Sequence, residues 1–168
     1  MSLEQIAKSI KGIVFDVDGV LTNGQIIYND AGVESKNFHV RDGASIKLLA
    51  SKGIEIAIIT GRASSMVSRR AEELGILHVV QGAESKIDAL KFLMENGFPR
   101  HDLCAIGDDI QDLQLFNHPS ITLSATVADA HPVVLTKADF TTKRAGGEGV
   151  ALELAELILK AQGHWDFD

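Results

Sequence analysis

Short runs of consecutive apolar residues recur along the chain, each ending in glycine, acidic or hydroxyl side chains, and stretches of helical period separate them. The first run, Ile13-Val14-Phe15, is continuous rather than alternating, the pattern of a strand buried on both faces, and it opens into Asp16-Val17-Asp18-Gly19. Residues 55–60 repeat the pattern and end in Thr60-Gly61-Arg62; residues 104–106 repeat it again and empty into Gly107-Asp108-Asp109. Shorter strands are expected at 78–80, 121–123 and 140–141. Between them the 3.6-residue period predicts helices from about 40 to 52, 64 to 74, 86 to 96, 110 to 116, 128 to 135 with Pro132 near its start, and 150 to 161. Gly53, Gly75 and Gly97 stand where helix C-termini favour a left-handed residue.

One segment departs from this rhythm. Residues 25–28 and 33–38 flank Asn29-Asp30-Ala31-Gly32, the composition of a β-hairpin. Strands alternating with helices elsewhere predict an α/β fold, a doubly wound and mostly parallel sheet, with the hairpin as a flap. At 168 residues the chain suits a single domain spanning 1–168.

Composition narrows the function. A formal net charge of -7 gives no electrostatic support for binding nucleic acid or an anionic membrane, so an anionic ligand needs a local basic pocket. The single cysteine, Cys104, lies in an apolar run and excludes an internal disulfide. Residues 1–12 lack the apolar segment of a secretion signal, and no stretch nears the ~20 apolar residues of a membrane span. A cytoplasmic protein is expected.

In open α/β sheets ligands bind outside the carboxyl ends of the strands. Three predicted strands deliver polar residues to that rim: Asp16 and Asp18, then Thr60, then Asp108 and Asp109, while Lys86 opens a helix that can reach it. A calcium loop is excluded, because counting from Asp16 puts Leu21 where glycine is required and Ile27 where glutamate is required. Carboxylates at 16, 18 and 108 suit Mg²⁺, a hard cation with oxygen ligands, and a hydroxyl with an ammonium suits phosphate oxygens. A phosphomonoester brings about two negative charges near neutral pH, so Asp16, Asp18, Thr60, Lys86 and Asp108 form a set that fits it.

These residues carry a resemblance. DVDGV (16–20), Thr60, Lys86 and GDDIQD (107–112) match, in order, the four motifs of the haloacid dehalogenase superfamily of phosphotransferases. The resemblance implies that Asp16 is the nucleophile and Asp18 the acid and base. It implies that Asp16, Asp108 and the Asp18 main-chain carbonyl hold Mg²⁺, that Thr60 and Lys86 bind the phosphoryl group, and that Asp109 or Asp112 orients Lys86 or metal-bound water. The gaps between motifs hold only the hairpin and one helix–strand unit, so no cap domain is expected, and an uncapped site needs a large substrate or a neighbouring subunit as lid.

Residues 11–160 further resemble the 3-deoxy-D-manno-octulosonate 8-phosphate phosphatases and their sialic-acid-pathway relatives, through NFHVRDG (37–43), ITGRASSMVSRRAEELGI (59–76), VADAH (127–131) and GGEG (146–149). By that resemblance His39, Val40, Arg41, Asp42, Gly43, Lys47, Arg62, Arg70 and Lys86 line a sugar-acid site, the protein serves lipopolysaccharide biosynthesis, and it assembles as a homotetramer. Apolar Ile26, Ile27 and Tyr28 on so small a hairpin also favour a homo-oligomer. Arg62 after Thr60-Gly61 resembles the eight-carbon group, whereas nine-carbon enzymes commonly place glutamate there; the nine-carbon 9-phosphate is the alternative substrate. A noncatalytic regulatory domain of the same fold is a second alternative. A phosphorylated receiver is disfavoured, because no aspartate precedes Thr60 at a strand end except the first pair.

Overall fold

A computed structural model describes residues 1–167. The chain opens with helix α1 (Leu3–Ser9), started by a reciprocal cap between Ser2 and Gln5. Strand β1 (Gly12–Phe15) follows, then a single wide turn over Val17–Leu21. The hairpin strands β2 (Ile27–Tyr28) and β3 (Glu34–Ser35) pair antiparallel. Next come α2 (Val40–Ser51), β4 (Glu55–Ile59), α3 (Ser65–Leu74), β5 (His78–Val80) and α4 (Lys86–Glu95). The second half holds β6 (Leu103–Ile106), a 3₁₀ turn at Ile110–Asp112, α5 (Leu113–Phe116), β7 (Ile121–Thr126), α6 (Pro132–Leu135), β8 (Phe140–Thr141) and α7 (Val150–Gln162).

The main sheet runs β5-β4-β1-β6-β7-β8, parallel at every pairing. Side chains alternate between its faces. Ile13, Phe15, Ile56, Ile58, Cys104 and Ile106 join α1, α2, α3 and α7 in one core. Val14, Ala57, Ile59, Leu103 and Ala105 face Leu90 and Leu93 of α4 and Leu115 of α5 in the other. The expected doubly wound sheet with a hairpin and no inserted cap domain is what the chain forms. After β1 it winds outward through β4 and β5, then returns to lay β6 on the other side of β1, so the winding reverses between β1 and β6. That reversal opens a crevice at the strands' carboxyl ends, and both acidic motifs empty into it.

Local differences from the sequence reading have physical causes. Helix α1 is additional; its signal is the Ser2-Leu3-Glu4-Gln5 cap, with Ala7 and Ile10 buried. Segment 128–135 is helical only from Pro132, whose ring suits a first helical position while the His131 Nδ1 accepts from Val133 N. Segment 110–116 divides into a 3₁₀ turn and α5, and β7 reaches Thr126 because its last four residues are buried. The GGEG stretch is packed: Gly147 N donates to Val20 O at 2.9 Å, and a Cβ on Gly146 would lie 1.8 Å from Gly19 O. Among the described residues no helix is long and apolar enough to cross a membrane.

Candidate active site

Asp16 leaves the end of β1 with its N–H donating to Ile106 O at 3.0 Å, so the sheet's own ladder fixes its backbone. Its carboxylate is 8% exposed. Lys86, first residue of α4 and 4% exposed, reaches across and donates to Asp16 Oδ1 at 2.9 Å and to Asp112 Oδ1 at 2.5 Å. The other oxygen of Asp112 accepts from the N–H groups of Asp108 (3.0 Å) and Asp109 (3.1 Å). Asp112 is therefore the post that ties the acidic loop after β6 to Lys86, and Lys86 carries the tie on to Asp16. Asp109 turns away to cap the 3₁₀ turn, accepting from Ile110 N at 2.7 Å.

Two glycines make this approach possible. A Cβ on Gly19 would fall 1.9 Å from Asp108 Oδ2, and one on Gly107 would fall 2.1 Å from Asp112 Cγ. Gly19 also takes φ 91°, a left-handed conformation that other residues adopt at a cost. The glycine of each acidic motif thus admits a carboxylate of the second motif.

Asp16, Asp108 and Asp112 each present an oxygen within 4.8 Å of the others. Crowded negative charge leaves its mark. Burial, then repulsion from Asp112, lifts the Asp16 carboxyl to about 6 against the pull of Lys86. Burial, then Asp16, Asp112 and Asp109, lifts Asp108 to about 7. For Lys86 burial opposes the charge, but Asp16 and Asp112 outweigh it and raise the ammonium above its ordinary value. Asp112 has both oxygens committed to protein donors, so Asp16 and Asp108 are the carboxylates left to receive a cation. Hard, anionic, partly uncompensated oxygens fit Mg²⁺ in chemistry and in charge.

A cavity of about 670 Å³ stands over this floor, lined by Asp16, Asp18, Thr60, Arg62, Lys86, Asp108, Asp109 and Asp112, with Gly24, Gly61, Ala83, Glu84, Gln111 and Gln114 completing the wall. Thr60 is 2% exposed, held by its N–H on Val80 O and by Ala83 N on its carbonyl. Asp18 sits at the mouth, where Lys36 donates to its Oδ1 at 2.5 Å. Arg62 donates to both oxygens of Glu34 at 3.2 and 3.3 Å.

The remaining residues expected for substrate lie outside this cavity within one chain. His39 caps α2, its Nδ1 accepting from Arg41 N at 3.1 Å. Val40, Arg41 and Lys47 are exposed on α2. Asp42, 3% exposed, faces the start of α7 and accepts from Ala151 N at 2.8 Å; burial raises its carboxyl. Arg70 lies over the Phe38 ring at 5.7 Å and donates to His39 O, and Gly43 leaves the space that its guanidinium fills. Asp42 and Arg70 thus bind α2 and the hairpin's exit to α7 and α3. Glu84 and Gln111 line the cavity and Lys36 pairs with Asp18, and the sequence reading gave none of the three a role. Lys36 had a legible signal, since strand alternation puts Glu34 and Lys36 on one face of the hairpin.

Comparison with known proteins concerns the chain and its fold. Residues 72–154 match the model of the haloacid dehalogenase-like hydrolases. The 3-deoxy-D-manno-octulosonate 8-phosphate phosphatase of Escherichia coli K12 is 40% identical over 161 residues, 95% of this chain and 85% of that protein. The crystal structure of the Moraxella catarrhalis phosphatase of that name, in complex with magnesium, phosphate and KDO, superposes with a TM-score of 0.91 at 43% identity, covering 98% of this chain and 94% of that one. The cobalt-bound deoxy-D-mannose-octulosonate 8-phosphate phosphatase of Haemophilus influenzae gives 0.90 at 38% identity, covering 98% and 96%. Fold and site define the class, a haloacid dehalogenase-like hydrolase whose acidic floor follows β1 and β6. Within that class the chain belongs to the 3-deoxy-D-manno-octulosonate 8-phosphate phosphatase family.

Proposed function

We propose that this chain hydrolyses the phosphate ester of 3-deoxy-D-manno-octulosonate 8-phosphate, releasing the sugar acid and phosphate. The observation that carries the reading is the floor of the cavity, where Asp16, held by Lys86 through one oxygen, and Asp108 stand within reach of each other while Asp112 holds that lysine in place. The 38–43% identity to relatives named for this activity supplies the substrate class.

Lys86 fixes one oxygen of Asp16, which leaves the other to attack phosphorus. As the new Asp16–phosphorus bond forms, the bond from phosphorus to the sugar oxygen breaks, and Asp18 at the mouth gives that oxygen its proton. Water then attacks phosphorus, gives a proton to Asp18, and the Asp16–phosphorus bond breaks to restore the carboxylate. The Thr60 hydroxyl and Lys86 bind phosphoryl oxygens throughout. Asp16, Asp108 and the Asp18 main-chain carbonyl would hold Mg²⁺, which when bound supplies charge neutralisation between nucleophile and phosphate. Asp112 acts through Lys86, and Asp109 keeps the loop in register.

Arg62 at the wall offers a two-pronged donor for the sugar acid's carboxylate once it leaves Glu34. The reading carries with it cytoplasmic residence and a homotetramer. Ile26, Tyr28 and Val33 are 51%, 60% and 56% exposed on the hairpin, an apolar surface that another copy would cover; His39, Val40, Arg41, Lys47 and Arg70 would then serve the substrate site of that neighbour, and Asp42 and Gly43, buried against α7 and Arg70, would serve it by holding α2 in place. Light scattering is expected to give four copies.

The experiment is phosphate release from the eight-carbon 8-phosphate and a nine-carbon sugar-acid 9-phosphate, with Mg²⁺ and with chelator. The highest kcat/KM is expected on the eight-carbon ester, no turnover in chelator, and none from Asp16→Asn. Arg62→Glu is expected to reduce efficiency on that ester far more than on an aryl phosphate. A wild-type preference for the nine-carbon ester overturns the substrate; full activity in chelator, or a working Asp16→Asn, overturns the mechanism.

A further inference from the structure

The hairpin that edges the cavity carries a lysine in an unusual position. Its neighbours Lys36 apart, such as Val33, Ser35 and Asn37, are exposed, yet the Lys36 side chain is only 1% exposed. Its ammonium donates to Asp18 Oδ1 at 2.5 Å and lies 3.2 Å from Glu34 Oε1, and Glu34 in turn receives Arg62. Ordering a lysine costs much rotamer freedom, so a buried lysine on an otherwise open flap needs an interaction that holds it. The partners of its ammonium are thus two carboxylates at the edge of the cavity, Asp18 and Glu34.

Asp18 needs such a partner. Its side chain remains 25% exposed, on the turn after β1, and the same rim carries Asp16, Asp108, Asp109 and Asp112. Their combined charge pushes a further carboxylate outward, away from the ester oxygen that it must protonate. One cation set on the hairpin side can anchor it at the mouth.

We infer that Lys36 is a positioning residue for proton transfer: seated by Glu34, it binds Oδ1 of Asp18 and so leaves Oδ2 to carry the proton to the leaving oxygen, and the step depends on the hairpin being docked. The inference rests on the reading of Asp18 as acid and base. In its absence the carboxylate samples other rotamers, and phosphoryl transfer to Asp16 proceeds at full rate only when the leaving oxygen departs without a proton.

That distinction gives the test. Lys36→Met keeps the length and apolar stem of the side chain and removes the ammonium. For a primary alkyl phosphate such as the sugar-acid ester, kcat/KM is expected to fall about 10- to 100-fold, a part of the ~10²- to 10⁴-fold that a general acid contributes. For p-nitrophenyl phosphate, whose phenolate leaves unprotonated, kcat/KM reports the same transfer to Asp16 and is expected to fall less than about threefold by the same reasoning. Lys36→Arg is expected to restore most of the alkyl-ester rate. Glu34→Gln, which unseats the lysine without removing it, is expected to show the same selective loss in weaker form. Equal losses on both esters would assign Lys36 a structural role and overturn the inference, as would an unchanged alkyl-ester rate or a loss confined to KM. The nine-carbon ester serves as the alkyl substrate if the wild type ignores the eight-carbon one, so a failed substrate assignment and a failed role for Lys36 give different results.

Discussion

Replacing Asp108 by asparagine should make the metal-free protein more stable while destroying its activity. Asp108 sits on a buried floor with Asp16 and Asp112, and its carboxyl is lifted from 3.8 to about 7. A carboxyl whose folded value lies above its unfolded one binds protons more tightly in the native state. Its cost to stability is therefore absent below the unfolded value, grows as pH rises through the interval from about 4 to 7, and is complete above it. At about 1.4 kcal/mol per pH unit the full cost comes to roughly 4 kcal/mol, shared with its coupled neighbour Asp16 and reduced because Asp108 is partly exposed. An amide carries no charge but is itself desolvated, at about 1–3 kcal/mol, so the net gain expected for Asp108→Asn at pH 8 is about 1–3 kcal/mol. The assay is urea unfolding of wild type and variant in chelator at pH 8 and pH 4.5, repeated at pH 8 with saturating Mg²⁺. The variant should lead at pH 8, the lead should shrink at pH 4.5, and Mg²⁺ should stabilise the wild type alone, by about 2.7 kcal/mol at a hundredfold excess over Kd. A variant no more stable than wild type at pH 8, or a lead that does not depend on pH, would refute the reasoning that crowded charge is stored at this floor.

Asp112→Ala removes the acceptor of three donors, and leaving Lys86 and two loop N–H groups without it should cost about 3–5 kcal/mol in unfolding free energy, the range for breaking a buried pair, together with most of kcat. A loss under about 1 kcal/mol in the same urea assay would show that the loop finds other partners. Gly146→Ala places a methyl 1.8 Å from Gly19 O, so the turn carrying Asp18 must shift; kcat is expected to fall even in protein that is folded by circular dichroism, and unchanged kinetics would show the contact to be soft.

The elements that could be read from the chain are those whose signals are local. Continuous apolar runs at 13–15, 56–59 and 104–106 are strands buried on both faces because only a sheet covered by helices on either side can bury such runs, and their order with the intervening helices implies the parallel winding. Three of the four polar motifs were legible for the same reason, since strand ends in such a sheet share one rim, and the other, Lys86, opens the helix that reaches it. Even the capping signal of α1 and the shared face of Glu34 and Lys36 were present, though both passed unread. What the sequence alone could not decide is which of several similar carboxylates does what. Asp109 and Asp112 differ by three positions on one loop, yet one caps a 3₁₀ turn and the other anchors Lys86, because loop geometry turns each oxygen toward a different donor. Likewise Asp42, in a stretch of polar residues, spends its charge on the start of α7, a partner 109 positions away. Periodicity records which face a residue occupies; the partner across that face is set only when distant segments pack, and it is the partner that makes a carboxylate a nucleophile, an anchor or a cap.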